Sequence, residues 1–152
     1  MTERTPGTAP GRYGLGVFTR VDHVGIAVAD LDEAIAWYAR TFGLRSVHEE
    51  VNEEQGVREA MLAVGAGETR IQLLAPLRPD SAIGRFLDRS GPGIQQVAYT
   101  VEDVEAVAAT LRERGLRVLY DTARRGTAGS LVNFVHPKDA GGVVVELVQP
   151  AG

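Results

Sequence analysis

The chain contains no cysteine among its 152 residues. Disulfides, thiolate ligands and thiol nucleophiles are excluded together, so a metal site here must be built from imidazole, amide and carboxylate groups. Aromatic residues are few, at 6%, and the charge balance is acidic, with a formal net charge of -4. With no run of Lys and Arg interleaved with aromatics, the polyphosphate of a nucleic acid is not an expected partner. No apolar run reaches membrane-spanning length, and the first 17 residues, MTERTPGTAPGRYGLGV, lack the apolar stretch of a signal peptide. Residues 1–17 therefore read as a disordered tail on a cytoplasmic protein that engages neither membrane nor nucleic acid.

What the chain has instead is an internal repeat. VDHVGIAVADLDEA, from Val21, returns as IQQVAYTVEDVEAV, from Ile94, each an alternating strand running into an acid-capped helix. With 44% hydrophobic residues, a chain of this length can bury one core shared by two similar halves. Asp30 precedes the helical stripe Leu31, Ala34, Ile35, Tyr38 and Phe42; Glu33 completes a capping-box pattern and Gly43 stops the helix. Asp103 likewise precedes Val104, Val107, Ala108 and Leu111, and Gly115 ends that stripe. Three strand-like runs follow each helix: LRSVHEEV, VREAMLAV and TRIQLLA, then LRVLY, SLVNFVH and VVVELV. Between the halves, DSAIGRFLDRS spaces Ile83, Phe86 and Leu87 as a short helix, with Ser81 as its cap.

The expected map is a first repeat over 18–76, a linker helix over 79–92 and a second repeat over 93–150, within one domain, 18–152. The fold class is α+β. Two tandem strand-helix-three-strand modules form an eight-stranded incomplete barrel with the helices outside.

Strand parity then sorts side chains by face. His23, Gly25 and Ala27 share one face of the first strand, and Gln96, Ala98 and Thr100 the matching face in the second copy. The branched neighbours on the opposite faces pack under the helices, and the small residues leave a cavity. Each copy closes on a strand with one polar residue among apolar ones, Gln72 in RIQLL and Glu146 in VVELV. Matched positions of two related halves converge, so His23, Gln72, Gln96 and Glu146 are candidate metal ligands. Their donors, one imidazole nitrogen, two amide oxygens and one carboxylate, suit Co²⁺, Mn²⁺, Ni²⁺ or Mg²⁺ better than a closed structural zinc. Taken singly, such residues are more often hydrogen-bonded core residues than ligands, and it is the repeat that favours the metal reading. By parity with Met61, Glu59 looks into the same hollow.

VDHVGIAVADLDEAIAWY, NEEQGVREAML, RIQLLAP, LRERGLRVLYD, RRGTAG and NFVHPKDAGGVVVELVQP together resemble the methylmalonyl-CoA epimerases of the vicinal oxygen chelate superfamily, in order from Val21 to Pro150. The resemblance implies a glyoxalase-like fold and an acyl-CoA substrate. It also implies a homodimer and a divalent metal cofactor, Co²⁺ foremost and Zn²⁺ among the alternatives. It places the ligands on His23, Gln72, Gln96 and Glu146, and the acid/base carboxylates on Glu59 and Glu146. The chain departs from the family at Gln95 and Gln96, where the family usually has two histidines; a neutral amide thus stands at a metal position. Arg124, Arg125 and Gly126, with the Thr127–Gly129 turn behind them, and Lys138 are candidates for holding a coenzyme A phosphate or the substrate carboxylate. His48 reads as exposed, His136 as shaping a turn, and Trp37 as half-buried at a subunit contact. Two alternatives share the fold: another enzyme of the superfamily such as glyoxalase I, and a metal-free module that sequesters a drug.

Overall fold

The computed structural model describes residues 16–152. Apart from Gly16 and Val17, the expected tail lies outside the described residues; Val17 packs against the core of the second half. The elements follow in chain order. Strand β1 (Arg20–Ala27) leads into helix α1 (Leu31–Phe42), then β2 (Arg45–Asn52), β3 (Val57–Ala63) and β4 (Arg70–Pro76). Helix α2 (Ala82–Ser90) links to β5 (Gly93–Thr100), α3 (Val104–Glu113), the two-residue β6 (Arg124–Arg125), β7 (Leu131–Val135) and β8 (Val144–Gln149).

The helices begin where local chemistry says they should. Asp30 accepts from the Glu33 amide at 3.0 Å, Ser81 from Gly84 at 3.1 Å and Asp103 from Ala106 at 3.1 Å, each satisfying an otherwise unpaired amide of the first turn. Helix α1 stops at Gly43, whose φ of 71° is open to glycine at little cost. No helix among the described residues is long and apolar enough to cross a membrane.

All eight strands form one curled half-barrel sheet in the order β2-β3-β4-β1-β5-β8-β7-β6. The two halves meet at β1 and β5, which pair antiparallel, and each of these strands has a parallel partner on its other side, β4 and β8 respectively. Under α1, Leu31, Leu62 and Leu73 form one apolar cluster; under α3, Val104, Leu111 and Leu147 form its counterpart. Linker helix α2 covers a third, placing Ile83 on Leu74 and Val57. The outer face of the central pair is less covered than parity suggests, for Val24, Ile26, Val97 and Tyr99 are only half-buried.

One expected strand takes a different form. Residues 116–120 run beside β7 through Leu119 N–H to Phe134 O at 2.8 Å and His136 N–H to Arg117 O at 3.0 Å, with a single bridge between Val118 and Val135. The ladder stops at Tyr120 because the fully buried Asn133 side chain takes its place. Asn133 Oδ1 accepts from Tyr120 N–H at 3.0 Å, and Asn133 Nδ2 donates to Tyr120 O at 2.9 Å. A side chain that satisfies both backbone groups replaces two ladder bonds and lets the chain turn away.

Candidate active site

His23 on β1, Gln72 on β4, Gln96 on β5 and Glu146 on β8 come from the four central strands of the sheet, and all four are buried. The Gln96 amide nitrogen stands where the other three converge. It lies 2.8 Å from Glu146 Oε1, 3.0 Å from Gln72 Oε1 and 3.5 Å from His23 Nε2. Gly25 makes this possible, since a Cβ on it would lie 2.5 Å from Gln96 Cγ. Space beside the small residues of β1 is thus filled by the Gln96 side chain, and the cavity opens beyond it.

Glu59 on β3 joins the same network. Its Oε2 accepts from Gln72 Nε2 at 3.0 Å, and its Oε1 accepts from the Thr127 hydroxyl. Burial pushes this carboxyl up to about 7, against the lowering effect of the Thr127 bond and with the charges of Glu50 and Glu146 adding to the rise. For His23, burial works against a positive charge, but the bonds to Asp22 and Glu146 outweigh it and raise the imidazole to about 9. Its Nδ1 lies 2.7 Å from Asp22 Oδ2 and its Nε2 lies 3.1 Å from Glu146 Oε1.

A cavity of about 780 Å³ is lined by Glu59, Gln72, Gln96 and Glu146, with Thr127 and Gly126 beside them. His23 faces a smaller one, of about 290 Å³, and Thr127 and Glu146 line both. The cluster therefore stands between two hollows. Of the groups proposed to hold phosphate, Gly126 lines the larger cavity while Arg124, Arg125 and Lys138 do not. Arg124 is bonded to Glu54 at 2.7 Å and lies 4.2 Å over the Tyr120 ring. Arg78 and Arg85 from the linker, and Arg117, line the cavity instead. His48 is bonded to Glu50 at 2.5 Å with 40% of its side chain exposed, and His136 Nδ1 accepts from Lys138 N–H at 3.1 Å to cap a short turn. Trp37 is 41% exposed.

Two contributors were missed in the sequence. Thr127 is expected only within a turn that holds a phosphate or the substrate carboxylate, whereas its hydroxyl bonds Glu59 from a turn in which Ala128 takes a φ of 54°. Asp22 was missed because alternation puts it on the face opposite His23. A bulge in β1 turns it back, and a bulge leaves no mark in a pattern of polar and apolar residues.

The profile of the Glyoxalase/Bleomycin resistance protein/Dioxygenase superfamily matches residues 22–134. A crystal structure of methylmalonyl-CoA epimerase from Mycobacterium tuberculosis is 57% identical, with a TM-score of 0.88, covering 91% of this chain and 93% of that one. The chain belongs to the methylmalonyl-CoA epimerase family. A variant of the Streptomyces coelicolor methylmalonyl-CoA epimerase in complex with 2-nitronate-propionyl-CoA is 49% identical, with a TM-score of 0.84 over 89% of this chain and 99% of that one. The ethylmalonyl-CoA/methylmalonyl-CoA epimerase of Cereibacter sphaeroides is 39% identical over 132 residues, 86% of this chain and 97% of its own length. Family membership of this kind favours the epimerase over the glyoxalase I and drug-sequestering readings.

Proposed function

We propose that this protein interconverts the (2R) and (2S) forms of methylmalonyl-CoA by removing and returning the proton on the α carbon, with a divalent metal ion as cofactor. The observation that carries the reading is a buried carboxyl, Glu59, bonded to a cluster of four converging nitrogen and oxygen donors at the wall of a large cavity. Similarity to epimerases solved with acyl-CoA analogues supports the choice of substrate.

The residues fit the ion. The Gln96 amide, a partial positive charge, already occupies the point that faces Glu146, Gln72 and His23. Rotating that amide end for end offers its carbonyl oxygen instead. His23, Gln72, Gln96 and Glu146 would hold a divalent ion, Co²⁺ foremost, which when bound neutralises the charge growing on the thioester oxygen as the carbon acid ionises. Gln96 in place of an imidazole favours ions that accept oxygen donors.

Glu59 is the base. A carboxyl poised near the working pH is ionised often enough to accept the proton and, once protonated, strong enough as an acid to give it back. Thr127 and Gln72 fix its two oxygens, so it does not have to be ordered at the moment of reaction. Taking the proton leaves Glu59 neutral, the form that burial already favours. Inversion requires return from the opposite face, and Glu146, the other carboxyl of the cluster, is assigned that role.

Incubating one epimer with the purified protein in D₂O tests this. Deuterium should appear at the α carbon as the epimers equilibrate, with the reaction lost on chelation and restored by Co²⁺. Absence of exchange in the metal-loaded protein rejects the function, and full activity after exhaustive chelation rejects the cofactor.

A further inference from the structure

The pairing of β1 with β5 slips twice. Val21 pairs with Tyr99 and His23 with Ala98, which leaves Asp22 unpaired; Gly25 pairs with Gln96 and Ile26 with Ile94, which leaves Gln95 unpaired. These are β-bulges, and each falls one residue before a candidate ligand, His23 and Gln96, themselves 73 residues apart. The two bulges are therefore copies of one feature, but their side chains do different things.

At the first bulge the extra residue turns Asp22 onto the His23 side of the strand. Its Oδ2 lies 2.7 Å from His23 Nδ1, while its Oδ1 accepts from the Thr100 hydroxyl at 2.9 Å and from Arg20 at 3.3 Å. The carboxylate is itself held from two sides, and the far ring nitrogen, Nε2, points to Glu146. At the second bulge nothing comparable forms: Gln95 Oε1 is buried without a hydrogen-bond partner among the described residues.

We propose that Asp22 is a positioning residue: through the bulge it fixes the His23 ring with its proton on Nδ1 and Nε2 turned into the four-donor cluster. The inference rests on the reading of His23 as a metal ligand for its consequence, but the ring geometry stands by itself. A carboxylate behind a ligating imidazole sets the ring's tautomer and raises its basicity, and losing such a partner typically costs about 10–100-fold in metal affinity. Asp22 thus makes one half of the site the firm anchor, and Gln96 remains the weaker arm.

Two readouts on protein free of substrate test this. The first is Co²⁺ affinity by competition with a chromophoric chelator, for wild type, Asp22→Asn and Thr100→Val. The second is the downfield Nδ1–H proton of His23 in protein labelled with ¹⁵N-histidine, resolved among three histidines. Asp22→Asn, which keeps the side-chain shape, should weaken Co²⁺ about tenfold or more and abolish the protected Nδ1–H signal. Thr100→Val, which removes one support of Asp22, should weaken Co²⁺ by a smaller factor and keep the signal. A Co²⁺ affinity for Asp22→Asn within twofold of wild type, or a persisting protected Nδ1–H in that variant, overturns the proposal. Failure of wild type itself to bind Co²⁺ rejects the metal reading, and the Nδ1–H signal then still decides the role of Asp22.

Discussion

Replacing Glu59 by glutamine gives the sharpest test of why this carboxyl sits where it does. Glu59 is 3% exposed, and its titration moves from an ordinary value near 4.5 up to about 7. At roughly 1.4 kcal/mol for each pKa unit, the shift corresponds to about 3 kcal/mol of preference for the neutral form in the folded state. For an acid whose folded value is raised, that contribution is fully present below the unfolded value and is lost as pH rises through the folded one. Metal-free wild type should therefore lose up to about 3 kcal/mol from this group between about pH 4.5 and just above pH 7. The amide of the Glu59→Gln variant cannot ionise. It also has one oxygen where Glu59 offers two, so either Thr127 or Gln72 loses an acceptor, a cost that does not depend on pH. Urea unfolding of both proteins at pH 5, 6, 7 and 8, with chelator present, separates the two effects, because only the difference in slope reports ionisation. The variant should gain on wild type as pH rises and should fail to exchange the α proton at any pH. Parallel stability profiles across that range refute the claim that ionising Glu59 in its buried place costs stability.

Thr127→Val removes the hydroxyl that holds the Glu59 carboxyl down, so the rise of kcat/KM with pH should move upward; an unshifted profile refutes that contact. Gly25→Ala drives a methyl group against Gln96 Cγ, and overpacking of this kind costs about 1–3 kcal/mol. Urea unfolding should show that loss and Co²⁺ titration a weaker site, whereas unchanged binding means Gln96 holds its position by other contacts. Asn133→Leu leaves the Tyr120 N–H and C=O without their partner and should cost about 2–4 kcal/mol in urea unfolding. A loss below about 1 kcal/mol means that water or a restored ladder satisfies Tyr120 instead.

Most of the fold was legible because its signals are local. Asp30, Ser81 and Asp103 cap helices by bonding amides three residues away, an interaction any folded context preserves. The repeat itself supplied the symmetry of the sheet. Residues 116–120 carry strand-forming side chains, but Asn133, distant in sequence, decides how far their ladder runs. The arginines along the cavity were overlooked for a similar reason. Arg78 and Arg85 belong to a linker whose pattern shows a helix but not which wall of the cavity it forms.

The four converging donors follow from duplication, and the chemistry follows from where the copies differ. On β3, Met61 pairs with Gln72, and on β7, Phe134 pairs with Glu146, so Phe134 is the counterpart of Met61. Two residues earlier along each strand, the counterpart of Glu59 is Val132, which is buried among apolar neighbours. Among the described residues, this position of the repeat therefore carries a carboxyl in the first half and an apolar side chain in the second. An enzyme that removes a proton from one face and returns it to the other cannot take its second group from the symmetric position. Of the four converging side chains, Gln72 and Gln96 are amides that neither gain nor lose a proton near neutral pH, which leaves Glu146 and His23. Asp22 and Glu146 already bind both nitrogens of His23. Glu146 also lines the larger cavity, which His23 does not. In the proposed mechanism the asymmetry of the repeat therefore favours Glu146 for the second proton transfer, a residue shared between the two hollows.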